Sequence, residues 1–556
     1  MIKGKLRQAW EELRSAAGPA FNPEIRSLLG DQSADSQNSV TSVEPIRGRL
    51  HFEDFVDSSN RAPEIRYRIS IDEDRGSVRK GAYQVLEAPY AVGEQITFTG
   101  QIHYRAVDQN DSNLIKQYIE TGLRWITSVG AERTIGFGQL VEVSVSETSP
   151  APSASSRSLI VPTGSEKLEL KIIPQSPFCL SRRRISNNLF ESETIIPGTA
   201  IKGSLACSWR TLIGLNPNGA VINGMDNARL QLCEHFDKFR ITHAFPAPTG
   251  QAFRPVVAPL SLVKVNKNLY DVGLFDGPAL IGNPPTAPEF AVDWKSHDDV
   301  QQLFGWANLE RELRVRTSID SSRRKVKDEQ LFAYDMVVPQ GEAWYCQIDL
   351  NAVPEHDRAQ VESQLHDLLS QDLRGLGKTK SRVKVEILTG GAVPPKHISQ
   401  SAPRDDVWVV TLQTPTLLCD PTKLPQASLL TAYDEVWSQL STQSLRLKHF
   451  YAHQSLAGGF YLYHRFQPGK EYSPWLLTDA GSVFVLEAGP GQQAEAQACI
   501  DEWLMHGLPL PEWAETRYGN HWSSCPFLRE GGYGEIAVNL DIHWSKQPTG
   551  GEVHVI

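Results

Sequence analysis

Two Gly-rich elements with basic neighbours recur along this sequence, and their chemistry suits phosphate. The first, Ile196-Pro-Gly-Thr-Ala-Ile-Lys-Gly-Ser-Leu205, runs into a helical pattern with Leu205, Trp209 and Leu212 on one face. A helix start leaves backbone N–H groups unbonded and carries the positive end of the dipole, so it attracts anions. Glycine lets a ligand backbone approach, and lysine adds a point charge. Lys202-Gly203 has a counterpart in Lys3-Gly4, with Arg7 three residues on. The second element is a loop before a strand: Gly130 to Gly138, with Arg133, Gly136 and Gly138, and Gly375 to Arg382, with Gly377, Lys378, Lys380 and Arg382. Both loops fall at strand ends, so the pair is expected to form one phosphate-binding strip. Glycines that only make tight turns are the alternative.

Basic clusters flank these elements: Arg182-Arg183-Arg184, Arg323-Arg-Lys325 and Lys378 to Lys384. Each is either a solvated loop or a phosphate contact that gives affinity without base selection. Asp54, Asp57, Asp72, Asp74 and Asp320 are candidates for metal-assisted phosphodiester cleavage, with a turn-capping role as the alternative for Asp72 and Asp320. Asp420, in Leu418-Cys-Asp-Pro421, is the acid that follows the first strand of the last block. It is either a catalytic carboxylate using Mg²⁺ or a turn residue before proline. No other cofactor is expected. His449 and His453 have helical ligand spacing without an acidic partner between them, so solvated or capping histidines are favoured over metal. Gly377-Lys378-Thr379 mimics the end of a nucleotide-binding loop, but Asp372 stands where that motif needs glycine, and helix precedes strand instead of following it.

The elements that must hold these residues come from a chain of 556 residues, 40% hydrophobic and 22% charged, which excludes disordered and collagen-like classes. A formal charge of −10 argues against a uniformly basic nucleic-acid binder while permitting local basic grooves. No apolar run is long enough to span a membrane, and Met-Ile-Lys-Gly-Lys-Leu-Arg has no apolar signal core. The 7 cysteines are scattered without Cys-x-x-Cys, so neither a disulfide framework nor structural zinc is expected, and a cytoplasmic setting fits.

Two small, Pro-punctuated stretches, Glu147 to Ser158 and Thr389 to Pro403, read as linkers and cut the chain into blocks 1–150, 160–390 and 404–556. Arg68-Ile-Ser-Ile-Asp72 matches Arg316-Thr-Ser-Ile-Asp320, Glu87 matches Asp335, Gly93 matches Gly341 and Gly130 matches Gly377, at nearly constant spacing. This marks a duplicated domain. In the first block the pattern predicts a strand over Gln95–Tyr104, a helix capped by Ser112 with Leu114, Tyr118, Ile119, Gly122, Trp125 and Ile126 on one face, and a strand over Leu140–Val145. The second block repeats that order, and the third echoes it around Gly481–Leu486, Ala494–Leu504 and Ile536–Asn539. Each unit also has a first half of strand and helix: Leu168–Ile173 before the Ile-Pro-Gly segment, and Trp408–Leu412. The first block shows only the helix, with Leu6, Ala9, Trp10 and Leu13, and lacks the preceding strand. The fold class expected is α+β: tandem ferredoxin-like (RRM-like) βαββαβ units with antiparallel sheets.

Residues 196–205 resemble the Ile-Pro-Gly-Ser-x-hydrophobic-Lys/Arg-Gly signature of the RAMP superfamily, the repeat-associated subunits of CRISPR effector complexes. Ile135-Gly-Phe-Gly138 resembles the superfamily's Gly-rich segment, and residues 58–100 its thumb-bearing region. Across 168–556 the order of elements is similar to the large multi-unit RAMP subunit of type III-D systems, including Phe245-Pro-Ala-Pro248, Pro259-Leu260, Lys264 and Ala480–Phe484. The resemblance implies a guide-RNA-binding subunit that aligns guide with complementary target RNA beside other effector subunits, away from any membrane. It implies phosphate contacts by Lys3, Gly4, Lys202, Gly203, Gly136, Gly138, Gly377 and Lys378. Cleaving type III backbone units carry an Asp between first strand and Ile-Pro-Gly. Here Ser176–Thr194 holds only Glu191 and Glu193. Binding is therefore the expected role, with a metal-dependent endoribonuclease cutting target RNA through Asp420 or a thumb-region acid as the alternative. A His/Tyr guide-processing nuclease is the third reading.

Overall fold

A computed structural model describes residues 2–30, 48–57, 64–72, 74–88, 90–91, 93–104, 106–130, 138–148, 164–186, 189–275, 280–282, 285–291, 294, 298–320, 325–388, 406–424, 428–467, 469–548 and 553–555. Arg133, Gly136, Arg323 and nearly all of both linker stretches lie outside the described residues. The chain divides into two compact bodies, Met1–Ser149 and Pro150–Ile556.

The C-terminal body contains two sheets of the same plan. In the first, Lys167–Pro174 alternates, sending Leu168, Leu170 and Ile172 into the core. It pairs antiparallel with Ala343–Asp349 on one side and Ser381–Leu388 on the other. Arg240–Ile241 and Phe245–Ala247 add to the outer edge of Ala343–Asp349. Counted by position in the repeat, the strands lie in the order fourth, first, third, second, which with two helices is the ferredoxin-like arrangement. Helix Glu355–Leu369 follows extended Pro354, carries Glu355 and Asp357 in its first turn, where the dipole favours acids, and buries Val361, Leu365, Leu368 and Leu369.

The second sheet repeats this order with Val407–Leu412 between Val483–Ala488 and Ile536–Val538, and Leu445–Tyr451 outermost. Val407–Leu412 is buried at every position because both faces are covered. Trp408, Val410 and Leu412 meet the helices Leu429–Leu440 and Gln493–His506, while Val407 and Val409 pack with Val483, Val485 and Trp544.

In the N-terminal body, helices Ile2–Ala17 and Gln109–Trp125 pack through Leu6, Trp10, Leu13, Ile115 and Ile119. A Cβ at Gly122 would lie 2.4 Å from Trp10 Nε1, so the crossing tolerates only glycine there. The cap of the second helix is Asp108, whose carboxylate accepts from Asp111 N–H at 2.8 Å, and Ser112 is buried one turn inside. Leu114 and Trp125 face solvent instead of joining the packed stripe. The strand expected over Gln95–Tyr104 contracts to Ile102–His103, paired with His51–Phe52, and residues 140–145 form no strand. The reason is topological. In the other two repeats the fourth strand pairs with the first, and among the described residues nothing fills the first-strand place here.

Each matched Arg-x-Ser-Ile-Asp segment ends the first strand of a long hairpin: Glu64–Ile71 with Val78–Ala88, and Glu310–Asp320 with Lys325–Val338. The Asp72 carboxylate accepts from the N–H groups of Asp74 and Arg75 at 3.1 and 3.3 Å, a turn-capping role. The chain is an α+β protein with antiparallel ferredoxin-like sheets.

Candidate nucleic-acid interface

The hairpin Glu310–Asp320/Lys325–Val338 is widened by Leu189–Ser192, parallel to its second strand, and by Ser181–Ser186. Its register sets Arg314 opposite Tyr334, Arg316 opposite Phe332 and Phe190 beside Tyr334. Side chains alternate across a strand, so these residues share one face. The ring centroids of Phe190 and Tyr334 lie 5.6 Å apart, and those of Phe332 and Tyr334 5.5 Å apart. The Arg316 guanidinium sits 5.5 Å from the Tyr334 ring, and Lys378 Nζ 4.3 Å from the Phe190 ring. Burial pushes the Tyr334 phenol up, opposed by Arg316. The opposite face is aliphatic, with Leu313, Val315 and Leu331 all more than half exposed.

Lys378 reaches this face because its loop is stapled down. Gly377 has φ +63°, and a Cβ there would stand 2.4 Å from the Cys179 carbonyl oxygen. The Lys378 N–H donates to that oxygen at 2.8 Å, Cys179 N–H donates to Thr379 Oγ1 at 3.3 Å, and Ser381 Oγ donates to the Pro177 carbonyl at 2.8 Å. Lys380 takes a left-handed conformation, and Arg382 pairs with Asp372 at 2.6 Å. Three aromatic rings with Arg316 and Lys378 above them offer π-faces for bases and charges for phosphates.

The helix start at Gly198 has a different neighbour. A Cβ there would lie 1.9 Å from the Ile241 carbonyl oxygen and 2.7 Å from that of Gly531, in the third repeat's Gly-rich loop. That seam is polar and buried. Arg254 forms a bidentate pair with Glu535 and donates to the His243 carbonyl, and the guanidinium charge holds the Glu535 carboxyl low against its burial. Gly198 therefore packs on Gly531, and Gly377 on Cys179.

Lys202 turns inward. Its ammonium donates to the Phe239 carbonyl at 2.8 Å and lies 4.6 Å from the Phe239 ring, and burial pulls its pKa down to about 8. Gly203 and Gly4 are exposed with nothing within 4 Å of a hypothetical Cβ. Arg7 donates to the Gly30 carbonyl, and Lys3 is partly exposed on the same helix. Gly138, at φ +64°, closes the turn onto Val129, whose N–H donates to its carbonyl at 2.9 Å. Arg182, Arg183 and Arg184 lie in strand Ser181–Ser186, with Arg184 paired to Phe190 in register.

Asp420 caps a turn: its Oδ1 accepts from the Thr422 N–H at 2.9 Å and from Thr422 Oγ1 at 2.7 Å. It lines a cleft of about 510 Å³ with Lys423, Glu435, Gln439 and Glu512. Glu435 pairs with Lys423, and Glu512 accepts from Gln439 at 2.6 Å. The acids in this cleft are thus engaged, and among the described residues no three His, Cys, Asp or Glu side chains converge as a metal site. The donors do not fit a Mg²⁺ site at Asp420. His449 lies in strand Leu445–Tyr451 and not on a helix, against the Gly273 carbonyl, and His453 pairs with Asp479 at 2.7 Å.

Sequence reasoning missed Phe190, Phe332 and Tyr334. The signal was there: Arg314 and Arg316 alternate along one strand, and Phe332 and Tyr334 along the next. Only the register shows that they share a face.

The sequence profile of the RAMP superfamily matches residues 2–141. No curated protein matches the chain. Among solved structures, a chain of a type III-B Cmr-beta complex bound to cognate target RNA and AMPPnP is 13% identical, with 60% of this chain and 89% of that one covered and a TM-score of 0.32. A chain of the Csm3-Csm4 subcomplex of the type III-A CRISPR-Cas interference complex is 12% identical, covering 58% and 92%, with a TM-score of 0.29. CRISPR associated protein Cas6 is 10% identical, covering 67% and 98%, with a TM-score of 0.25. No helix among the described residues is long and apolar enough to cross a membrane.

Proposed function

We propose that this chain, whose residues 2–141 match the RAMP-superfamily profile, is a guide-RNA-binding subunit of a type III CRISPR effector complex. The observation that carries the reading is the face formed by Phe190, Phe332, Tyr334, Arg316 and Lys378. Stacking of bases on rings is tolerant of sequence, and phosphate contact is equally indifferent to it. A guide whose sequence changes with each invader needs that kind of grip. The rings would take unstacked bases, Arg316 and Lys378 would take phosphates, and open Gly203 and Gly4 would let the RNA backbone pass close to their helices. Complementary target RNA and neighbouring effector subunits are the partners this role requires. The cysteines, all unpaired, suit a cytoplasmic setting.

The alternative, a metal-dependent endoribonuclease acting through Asp420, is disfavoured by the turn that already uses this carboxylate. Fluorescence anisotropy with a labelled single-stranded RNA tests the proposal. Each lost stacking ring is worth about 1–3 kcal/mol per base. Phe190→Ala with Tyr334→Ala is expected to weaken binding about 10-fold or more, and Lys378→Glu to reduce the salt dependence as well. Unchanged affinity in both variants would refute the assignment of this face.

A further inference from the structure

The cleft beside Asp420 holds carboxylate oxygens that the protein leaves unused. Asp420 is only 9% exposed, and its Oδ1 accepts both bonds from Thr422. Its Oδ2 bonds no described residue, although the side chain lines the cleft. Glu435 and Glu512 line the same space. Each is engaged through one oxygen, Oε2 in both, by Lys423 and Gln439 respectively. The two cations of the lining are committed elsewhere. Lys423 pairs with Glu435, and Arg517 donates to Ser473 Oγ at 2.7 Å and lies 5.5 Å from the Tyr518 ring. Among the described residues, Asp420 and Glu512 therefore have no ion-pair partner. A carboxylate as deeply set as Asp420 costs free energy without a counter-charge, and a bound cation offsets that cost.

The remaining wall selects the kind of cation. Trp513 is half-buried and lines the cleft. Its indole N–H donates to the Leu418 carbonyl at 3.0 Å, and its ring meets Tyr518 edge-on at 6.1 Å, so the ring is held in place. An indole face beside carboxylates fits a guanidinium, which stacks on aromatic rings and bonds carboxylates with a planar fork of donors. A bare metal ion fits less well, because no three acidic, His or Cys side chains converge among the described residues. The volume of about 510 Å³ is that of a ligand site and exceeds what the head group fills. Thr422, Gln439 and Thr516 supply hydrogen-bonding groups for the rest of the ligand. We propose that this cleft of the third repeat binds a guanidinium-bearing ligand, stacked on Trp513 and bonded to Asp420 Oδ2 and the unused oxygen of Glu512. The proposal does not depend on the RNA-binding reading.

Isothermal titration calorimetry on the full chain tests it, with agmatine and a blocked Gly-Gly-Arg-Gly-Gly peptide as probes. Tighter binding of agmatine assigns a free small molecule, and tighter binding of the peptide assigns an arginine carried on a polypeptide. Asp420→Asn keeps the Oδ1 acceptor for Thr422, so its urea midpoint should be unchanged, while it binds the better probe about tenfold more weakly. Lys423→Ala frees Glu435 and should bind that probe about threefold more tightly. The lysine counterpart of the peptide should bind about fivefold more weakly than the arginine form. Three outcomes overturn the proposal. They are no binding of either probe, which is also the result if a segment of the chain itself occupies the cleft, equal binding of the arginine and lysine peptides, and full affinity in a folded Asp420→Asn.

Discussion

Gly203 and Gly377 are both candidate phosphate-approach glycines, and replacing each with alanine should act on stability with opposite signs. Gly203 lies inside the helix Gly198–Leu212, exposed, with no atom within 4 Å of an added Cβ. Alanine in an open helix interior gains about 1 kcal/mol over glycine. Gly377 is held at φ +63° with the Cys179 oxygen 2.4 Å from the Cβ position. A left-handed alanine costs about 1–2 kcal/mol. Displacing the loop also sacrifices the 2.8 Å bond from Lys378 N–H to Cys179, worth about 1 kcal/mol. Gly377→Ala should therefore lose about 2–3 kcal/mol, read as the midpoint shift of urea unfolding monitored by tryptophan fluorescence. RNA anisotropy on the same samples separates fold from function. Gly377→Ala should bind more weakly because Lys378 leaves the Phe190 ring. Gly203→Ala should be more stable yet bind more weakly, since its methyl group enters space the RNA backbone needs. A stabilised Gly203→Ala with full RNA affinity would refute the claim that this helix start is approached by RNA. A destabilised one would refute the helix geometry itself.

Asp420→Ala should lower stability by about 1 kcal/mol through loss of the turn bonds, while the RNA products formed by the assembled complex with Mg²⁺ stay the same; loss of a product on a gel would restore the nuclease reading. Burial pushes the His243 imidazole down to about 3, below the unfolded value of about 6.5. The unfolded chain thus binds the proton first, and stability should fall as pH drops from about 6.5 toward 3, by up to about 1.4 kcal/mol per pH unit. His243→Phe should flatten that slope in unfolding curves taken across this range, and an unchanged slope would contradict the assignment. Gly122→Val drives a side chain into Trp10 and should destabilise the N-terminal body by about 1–3 kcal/mol or more. Limited proteolysis should then cut within 2–148 while the C-terminal body, 150–556, persists.

The sequence was most informative where period and burial agree. The alternation in Lys167–Pro174 and the spacing of Val361, Leu365, Leu368 and Leu369 correspond to a half-buried strand and an amphipathic helix. The repeat gave the ferredoxin-like order because the same elements recur. It failed at Gln95–Tyr104 and Leu140–Val145, where strand propensity is strong but a ladder needs a neighbour, and among the described residues no strand takes the neighbour's place. The cap of the helix Gln109–Trp125 was misplaced because Asp108 and Ser112 both suit a cap, and only backbone geometry chose Asp108. The site was legible as residue types and illegible as a surface. Lys202 read as a phosphate ligand, yet the nearby carbonyl of Phe239 takes its ammonium inward. Phe190 and Tyr334, far apart in the chain, became neighbours through a parallel pairing that no local pattern announces.

Ultraviolet crosslinking of the chain to bound single-stranded RNA, with crosslinked peptides mapped by mass spectrometry, tests the central claim most directly. The account predicts crosslinks at Phe190, Phe332 or Tyr334, lost in the Phe190→Ala, Tyr334→Ala double variant. Crosslinks confined to other segments, with that face unmodified while RNA remains bound, would contradict it.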